Sequence, residues 1–302
     1  MSDLLQILED TSARPSATFK SGSVNQDLDS GVPTVTITRP DGTTIAPGTV
    51  THFQPAVDNP GKYEFTLQPQ SDPVNKLTIT WAGPIGGITQ TIKTYVEVIG
   101  AFLFNVDELR ALRVAGGTPF ASTSTWPDSK LMDARTATLD EFIRILGFSP
   151  VPRFHRETHD GDGSSCVLLD ELEAHRLLSV TVNGASQSVA GYTLKPSGIL
   201  EATSNYALSG TFTAGRGNVV VEYVAGWDRV AGDGSNVAML RAAMRLDPGI
   251  SSAATSVTTP DGVSYQFDPA GQITRSGRVR EFGVPAIDSW LSRWAAGSVA
   301  VA

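Results

Sequence analysis

The sequence predicts an α+β multidomain protein, a β-sandwich followed by a helical domain with a β-rich insertion, and three observations predict it. Between Val32 and Ile99 apolar and polar residues alternate with the period of half-buried strands. From Asn105 the apolar spacing becomes that of amphipathic helices, and it does so again near Met239 and near Trp290. Between those helical stretches, residues 149–226 return to strand composition.

Residues 1–30 form an N-terminal extension. Leu4, Leu5, Ile7 and Leu8 cluster as one short amphipathic helical turn that Pro15 ends, an apolar terminus suited to docking on a neighbour. Residues 31–100 supply "TVTITRP", "THFQPAV", "KYEFTLQ", "KLTITWAG" and "QTIKTYVEVIG", separated by Pro40-Asp41-Gly42, Pro47-Gly48 and Asn59-Pro60-Gly61. Short, evenly spaced strands of this kind predict an immunoglobulin-like β-sandwich without its disulfide, with Trp81 as core anchor.

Residues 101–302 make the second domain. Asn105, with Glu108 three residues later, opens a helix over "NVDELRALRVAG" that Gly116-Gly117 close. Pro127 suits a first helical position, and Leu131, Ala134, Leu139, Phe142, Ile143 and Leu146 form one stripe before Gly147, so the two helices of 105–147 pack together. The insertion, residues 149–226, carries turn signals at Asp160-Gly161-Asp162-Gly163, Asn183-Gly184 and Pro196-Ser197-Gly198. A helix over 234–247, capped near Ser235 or Asn236, precedes a long loop at 250–280, and a C-terminal helix over 284–296 ends the chain. In "VVVEYVAGWDRV", residues 219–230, Tyr223 closes a buried strand, Gly226 permits a sharp corner and Trp227 plugs it.

Composition excludes several classes. The 302 residues are 40% hydrophobic, ample for packed cores. The 23 basic and 31 acidic side chains give a net charge of −8, spread over both parts, which speaks against a cationic nucleic-acid binder. A single Cys166 excludes an intrachain disulfide and cysteine metal clusters. No apolar run approaches the ~20 residues of a membrane span, and the N-terminus lacks the basic start and apolar core of a signal peptide. A protein made in the cytoplasm, without membrane insertion, is the expectation.

Catalytic motifs are missing: the sequence holds no Gly-x-Ser-x-Gly elbow, phosphate-cradling loop, dinucleotide fingerprint or paired-His zinc helix. The nearest approach is "DGDGSSCVLLDE", where Asp160, Asp162, Ser164 and Glu171 match calcium-loop positions but Ser165 replaces the required glycine. A tight turn between strands explains it better. His155, His159, His175 and Cys166 lack the doubled close pairs of structural zinc, and solvated or core histidines are the simpler reading. No catalytic, cofactor or metal residue is assigned. Arg275, Arg278 and Arg280 lie where few acids are near, open to phosphate or to a partner's carboxylates, although a solvated loop is the simpler reading.

Two stretches carry a resemblance. Val221-Glu222-Tyr223-Val224-Ala225-Gly226-Trp227 leads into the Ala-rich "VAMLRAAMRL", and "GVPAIDSWLSRW" stands near the end; Val151-Pro152-Arg153 and "LLSVTVNG" add support. With the order of elements over 105–296, the chain resembles the head-to-tail adaptor (connector) proteins of long-tailed bacteriophages. It departs from them at Ala231-Gly232, where that family commonly has a proline, and in the added N-terminal sandwich. The resemblance implies a non-enzymatic virion protein without cofactors, a homo-oligomeric ring of twelve copies at the head-tail interface. Its implied partners are the portal, a stopper or tail-completion protein, and passing double-stranded DNA held without sequence-specific contacts. It further implies ring helices around Leu139–Leu146 and Met239–Leu246, and Trp290, Leu291 and Trp294 as portal-facing or inter-subunit residues. The alternative is a carbohydrate- or host-surface-binding tail protein resting on Trp81, Trp126 and Trp227; a hydrolase with an accessory β-domain has the least support.

Overall fold

The computed structural model describes residues 4–29, 31–54, 56–70, 76–114, 117–203, 210–230, 233–248, 250, 256–262, 264–266 and 284–297. The chain divides into two compact units. One comprises Met1–Ala101, Pro152–Asp170 and Ala174–Ala225, the other Phe102–Val151, Glu171–Glu173 and Gly226–Ala302.

The first unit opens with β1 (Leu4–Leu8), β2 (Ser16–Thr18), β3 (Lys20–Ser21), β4 (Val24–Asn25) and β5 (Thr34–Thr38). It continues through β6 (Thr44–Ile45), β7 (Val50–His52), β8 (Lys62–Phe65), β9 (Lys76–Ile85) and β10 (Ile88–Ile99). A five-stranded sheet runs β1-β10-β9-β5-β6 and a three-stranded sheet runs β2-β8-β7. Both contribute to one core, with Ile37, Ile79, Trp81, Val96 and Val98 from the larger sheet meeting Ala17, Tyr63 and Phe65 from the smaller. Period-two alternation places those residues: along β9 every second residue, Leu77, Ile79, Trp81, Gly83 and Ile85, is buried. Trp81 is fully buried, its Nε1–H donating to Thr94 Oγ1 at 2.9 Å and its ring 5.4 Å from that of Phe65.

The β9–β10 turn consists of Gly86 and Gly87, with φ of 59° and 75°, the left-handed pair of a two-residue hairpin. Both amides donate to the Asp29 carboxylate, at 2.9 and 2.8 Å. Two residues earlier, Asp27 Oδ1 accepts from Gly61 N and from His52 Nε2, each at 2.6 Å. Buried Leu28 lies between them under Gly83, so residues 26–29 strap the two sheets together.

β1 corrects an expectation. Leu4–Leu8 is a strand parallel to β10, in register from Leu4↔Tyr95 to Leu8↔Ile99, and no helical turn. A single helical turn leaves most of its backbone groups unpaired, whereas the β10 edge satisfies a ladder of them. The register sets Gln6 beside Glu97, whose carboxylate is fully buried; Gln6 Nε2 donates to it at 2.9 Å, and Arg153 donates through Nε at 2.8 Å and Nη2 at 3.0 Å.

After β10 the chain enters the second unit through α1 (Val106–Ala111), β11 (Arg113–Val114) and α2 (Asp128–Leu146). Asn105 and Glu108 form the capping box, Asn105 N–H donating to Glu108 Oε2 at 2.7 Å. This helix stops short of the expected Gly116-Gly117, because Arg113-Val114 pairs as strand with Thr258-Val257. Pro127 is the N-cap of α2 rather than its first residue, and Gly147, at φ 78°, is its C-cap.

The chain then returns to the first unit with β12 (Arg153–Gly161), β13 (Cys166–Leu168), β14 (Ala174–Val182), β15 (Ala185–Gln187), β16 (Tyr192–Lys195), β17 (Ile199–Ala202) and β18 (Gly215–Ala225). Sheets β12-β18-β14-β15 and β13-β17-β16 share a core of Val167, Leu200, Val180, Val219, Val221 and Tyr223. α3 (Gly234–Leu246), β19 (Ser256–Thr258), β20 (Ser264–Gln266) and α4 (Pro285–Gly297) complete the second unit, β11-β19-β20 forming its small sheet. The β19–β20 hairpin occupies part of the 250–280 stretch expected as loop.

The expected fold class is therefore corrected. The protein is mostly β, with 40% strand against 22% helix, and its described α-helices are short, of 6, 19, 13 and 13 residues. Among the described residues no helical adaptor domain is seen. Residues 149–226, expected as an insertion in a helical domain, include β12, β14 and β18, which are nine to eleven residues long and carry their own two-sheet core. The N-terminal segment and the end of α1 pass from helix to strand as well.

Candidate functional site

Chemistry is sparse among the described residues. No group of three or more His, Cys, Asp or Glu side chains is placed to hold a metal. The histidines do not converge. His155 is held neutral, pushed down to about 4 by burial first and by Lys76 and Arg153 next, its ring stacked on Tyr223 with centroids 5.5 Å apart. His159 Nε2 lies 2.8 Å from Glu157, His175 and Cys166 are exposed, and His52 belongs to the strap. In the calcium-like segment Asp162 accepts from the Ser164 amide at 2.8 Å, the tight turn expected there.

The residues that do converge belong to the 219–230 corner and the C-terminal helix. Tyr223, in β18, is fully buried and its hydroxyl donates to Glu157. Gly226 follows with φ 113°; a Cβ there would stand 2.2 Å from Val151 O and 3.0 Å from Ser149 O, so only glycine fits. Its amide donates to Glu173 O at 3.1 Å.

Past this corner Trp227 enters an aromatic cluster of the second unit. Its ring centroid lies 5.0 Å from Phe148, 4.9 Å from Trp294 and 6.2 Å from Trp290, all edge-to-face, and Trp290 lies 5.5 Å from Phe142 of α2. Gly234, the first residue of α3, makes room: a Cβ there would stand 2.5 Å from Trp290 Cζ2. α2, α3 and α4 thus meet around one aromatic group. A second tie joins two of them, Arg241 of α3 donating twice at 2.8 Å to Glu141 of α2, with Arg245 adding a 3.1 Å bond. Burial pushes the Glu141 carboxyl up, but the two arginines outweigh it and hold it below its usual range.

Of the residues expected at interfaces, Trp290 and Leu291 are buried within their own unit, at 2% and 4% exposure, and Trp294 is half-buried. Arg275, Arg278 and Arg280 lie outside the described residues, as does the tail after 297. Leu139, Leu146, Met239 and Leu240, at the centre of the expected ring helices, are buried too, so any contact those helices make with another molecule uses their polar faces.

Sequence reasoning missed three charged groups: Glu97 with Arg153, Glu141 with Arg241, and Arg135. The last carried a signal, since Arg135 stands four residues from Leu131 and from Leu139 on the apolar stripe of α2. The two ion pairs span 56 and 100 residues of sequence and carried none.

No protein-family model matches the chain, and a search of curated proteins finds no match.

Proposed function

We propose that this chain is a structural assembly protein, one subunit of a homo-oligomeric ring that joins the head of a long-tailed bacteriophage to its tail. One observation supports the reading above others. The two stretches that carry the resemblance to head-to-tail connectors, the 221–227 corner and the 285–297 helix, lie against each other through Trp227, Trp290 and Trp294. Motifs more than 50 residues apart in sequence that build a single packing unit are more than an accident of composition.

On this reading the ring is twelve-fold, sits between portal and stopper, and forms part of the channel for double-stranded DNA. The net charge of −8 suits a conduit that must not grip the phosphates passing through it. The N-terminal sandwich serves as an outer structural module. Trp81 and Trp126 do not favour carbohydrate binding: Trp81 is fully buried, and Trp126 packs on Phe120 with Lys130 over its ring at 4.0 Å. Negative-stain microscopy of the full chain mixed with its portal is expected to show rings with a central opening; a persistent monomer that leaves the portal unbound would refute the proposal.

A further inference from the structure

The segment Leu4–Leu8, apolar and suited by its sequence to docking on a neighbour, is held in the fold as β1, and its placement makes it exchangeable. β1 precedes every other described element and is an edge strand, paired with β10 alone. Leu5 and Ile7 stand beside Val96 and Val98 and pack into the core of the first unit. On the other face Gln6 donates to the buried Glu97 carboxylate at 2.9 Å. Without β1 the β10 edge would leave a ladder of backbone groups unpaired and the core open, so the edge needs a strand of this sequence. The connection that folds β1 back onto its own sheet is short and strained. Residues 9–12 alone separate it from the Ala13↔Leu67 bridge, and within them Asp10 stands at φ 59°, left-handed backbone that a residue with a Cβ resists. Thr11 closes the reversal, its N–H and its Oγ1 both donating to Leu8 O, at 3.2 and 2.6 Å.

A strand held only at an edge, on a short strained hinge, is the arrangement in which an element passes to a second copy at low cost. Every pairing lost within one chain is remade between two, and the hinge, once extended, gives up the strain at Asp10. We propose that β1 is exchanged between copies, Leu4–Leu8 of one chain lying against β10 of the next in the register, Leu4↔Tyr95 to Leu8↔Ile99, that the single chain already shows. The occupant of the β10 edge is a second copy because the sequence seated there is this chain's own, with Ile7 filling the core and Gln6 meeting Glu97. Four residues of extended hinge reach roughly 13 Å, so donor and acceptor are adjacent copies. Passed in one direction, the strand makes a head-to-tail contact, the kind that closes a ring. That direction rests on the ring reading, whereas the exchange itself is judged by its own measurement.

Leu4 and Tyr95, register partners on the outer face and exposed at 36% and 37%, report the exchange without disturbing the core. In the full-length chain the exposed Cys166 is removed as Cys166→Ser, and Leu4→Cys is combined with Tyr95→Cys. A control carries Ile88→Cys in place of Tyr95→Cys, at the far end of β10 and 72% exposed. Each is oxidised in the presence of its portal and read by non-reducing electrophoresis, sedimentation and microscopy. Exchange is expected to give covalent ladders of more than two chains, absent from the control, because the two cysteines then meet across copies. Rings in which Leu4→Cys/Tyr95→Cys closes only within single chains would overturn the exchange and leave the ring reading standing, as would a control that cross-links equally. Cross-linked pairs with no larger species in sedimentation would uphold the exchange and sink the ring reading. Disulfides within single chains, in a protein that never assembles, would bring down both.

Discussion

At the residue scale two groups matter because nothing nearby can replace them. Glu97 has no exposed side-chain surface, and its charge is balanced by the two-pronged Arg153 and by Gln6. Removing one partner of such a pair leaves a bare buried ion, a larger loss than the pair's own net contribution. Arg153→Ala is therefore expected to cost about 3–5 kcal/mol in urea unfolding, and the double variant Glu97→Gln/Arg153→Met to recover much of that. Gly226 is irreplaceable for a steric reason: Gly226→Ala, with its Cβ at 2.2 Å from a carbonyl oxygen, is expected to cost about 3 kcal/mol or more by the same measurement. A loss under about 0.5 kcal/mol would mean that the corner relaxes easily.

At the element scale the strap at 26–29 makes the first unit sensitive to pH in both directions. Hydrogen bonding to Asp27 holds the His52 imidazolium above its ordinary 6.5 against the opposing effect of burial. The contribution of His52 is complete below about 6.5 and fades as pH rises through the raised value. Asp27 is held below 3.8 by His52 and then by the Gly61 amide, and Asp29 by the Gly87 and Gly86 amides. Their contribution is complete above about 3.8 and fades as pH falls through the lowered values. Amide exchange at Gly61, Gly86 and Gly87 is expected to be slowest, once corrected for its intrinsic pH dependence, between those limits. His52→Gln should flatten the upper arm and also shrink the share of the lower arm that comes from Asp27, leaving the share of Asp29 intact. The strand pattern of β5, β8 and β9 is readable from alternation, because each buries one face and turns the other outward, whereas β10 ends in four consecutive buried residues. The strap was not: Asp27 and Asp29 find their partners 25 to 58 residues away, at turns whose positions only the folded sheets define. β1 failed for a related reason. Its apolar cluster fits a helix face or a buried strand equally, and the choice was made by a β10 edge some 90 residues downstream.

At the scale of the whole molecule, helices α2, α3 and α4 were visible in apolar spacing to within a few residues, yet the balance of the fold was misjudged. Local periodicity reports elements but not which of them share a core, and residues 152–170 and 174–225 belong to the unit that also contains the N-terminal strands. The aromatic cluster was half legible: Trp227 was placed as a plug at a corner, while its contacts with α4 depended on tertiary packing. Trp227→Ala is expected to speed hydrogen exchange in α2, α3 and α4 by tenfold or more and to leave β9, β10 and the middle of β18 protected, since all its ring contacts fall within the second unit. Uniform acceleration across the chain would show instead that the protein unfolds as one cooperative block.

The order of contacts also bears on how the chain is made. Phe142 and Trp227 both wait for Trp290, in the last helix, to complete their packing. At a synthesis rate of roughly 5–20 residues per second, Phe142 leaves the peptidyl-transferase centre about 7–30 s before Trp290 does, and Trp227 about 3–13 s before. During that interval the nascent chain carries unsatisfied aromatic surface, and a ribosome that terminates between residues 266 and 285 releases a product that holds every described β-strand but lacks the helix that clasps α2 and α3. Such truncated chains are natural clients for chaperones and proteases, and quality control of this protein turns on its final thirteen-residue helix.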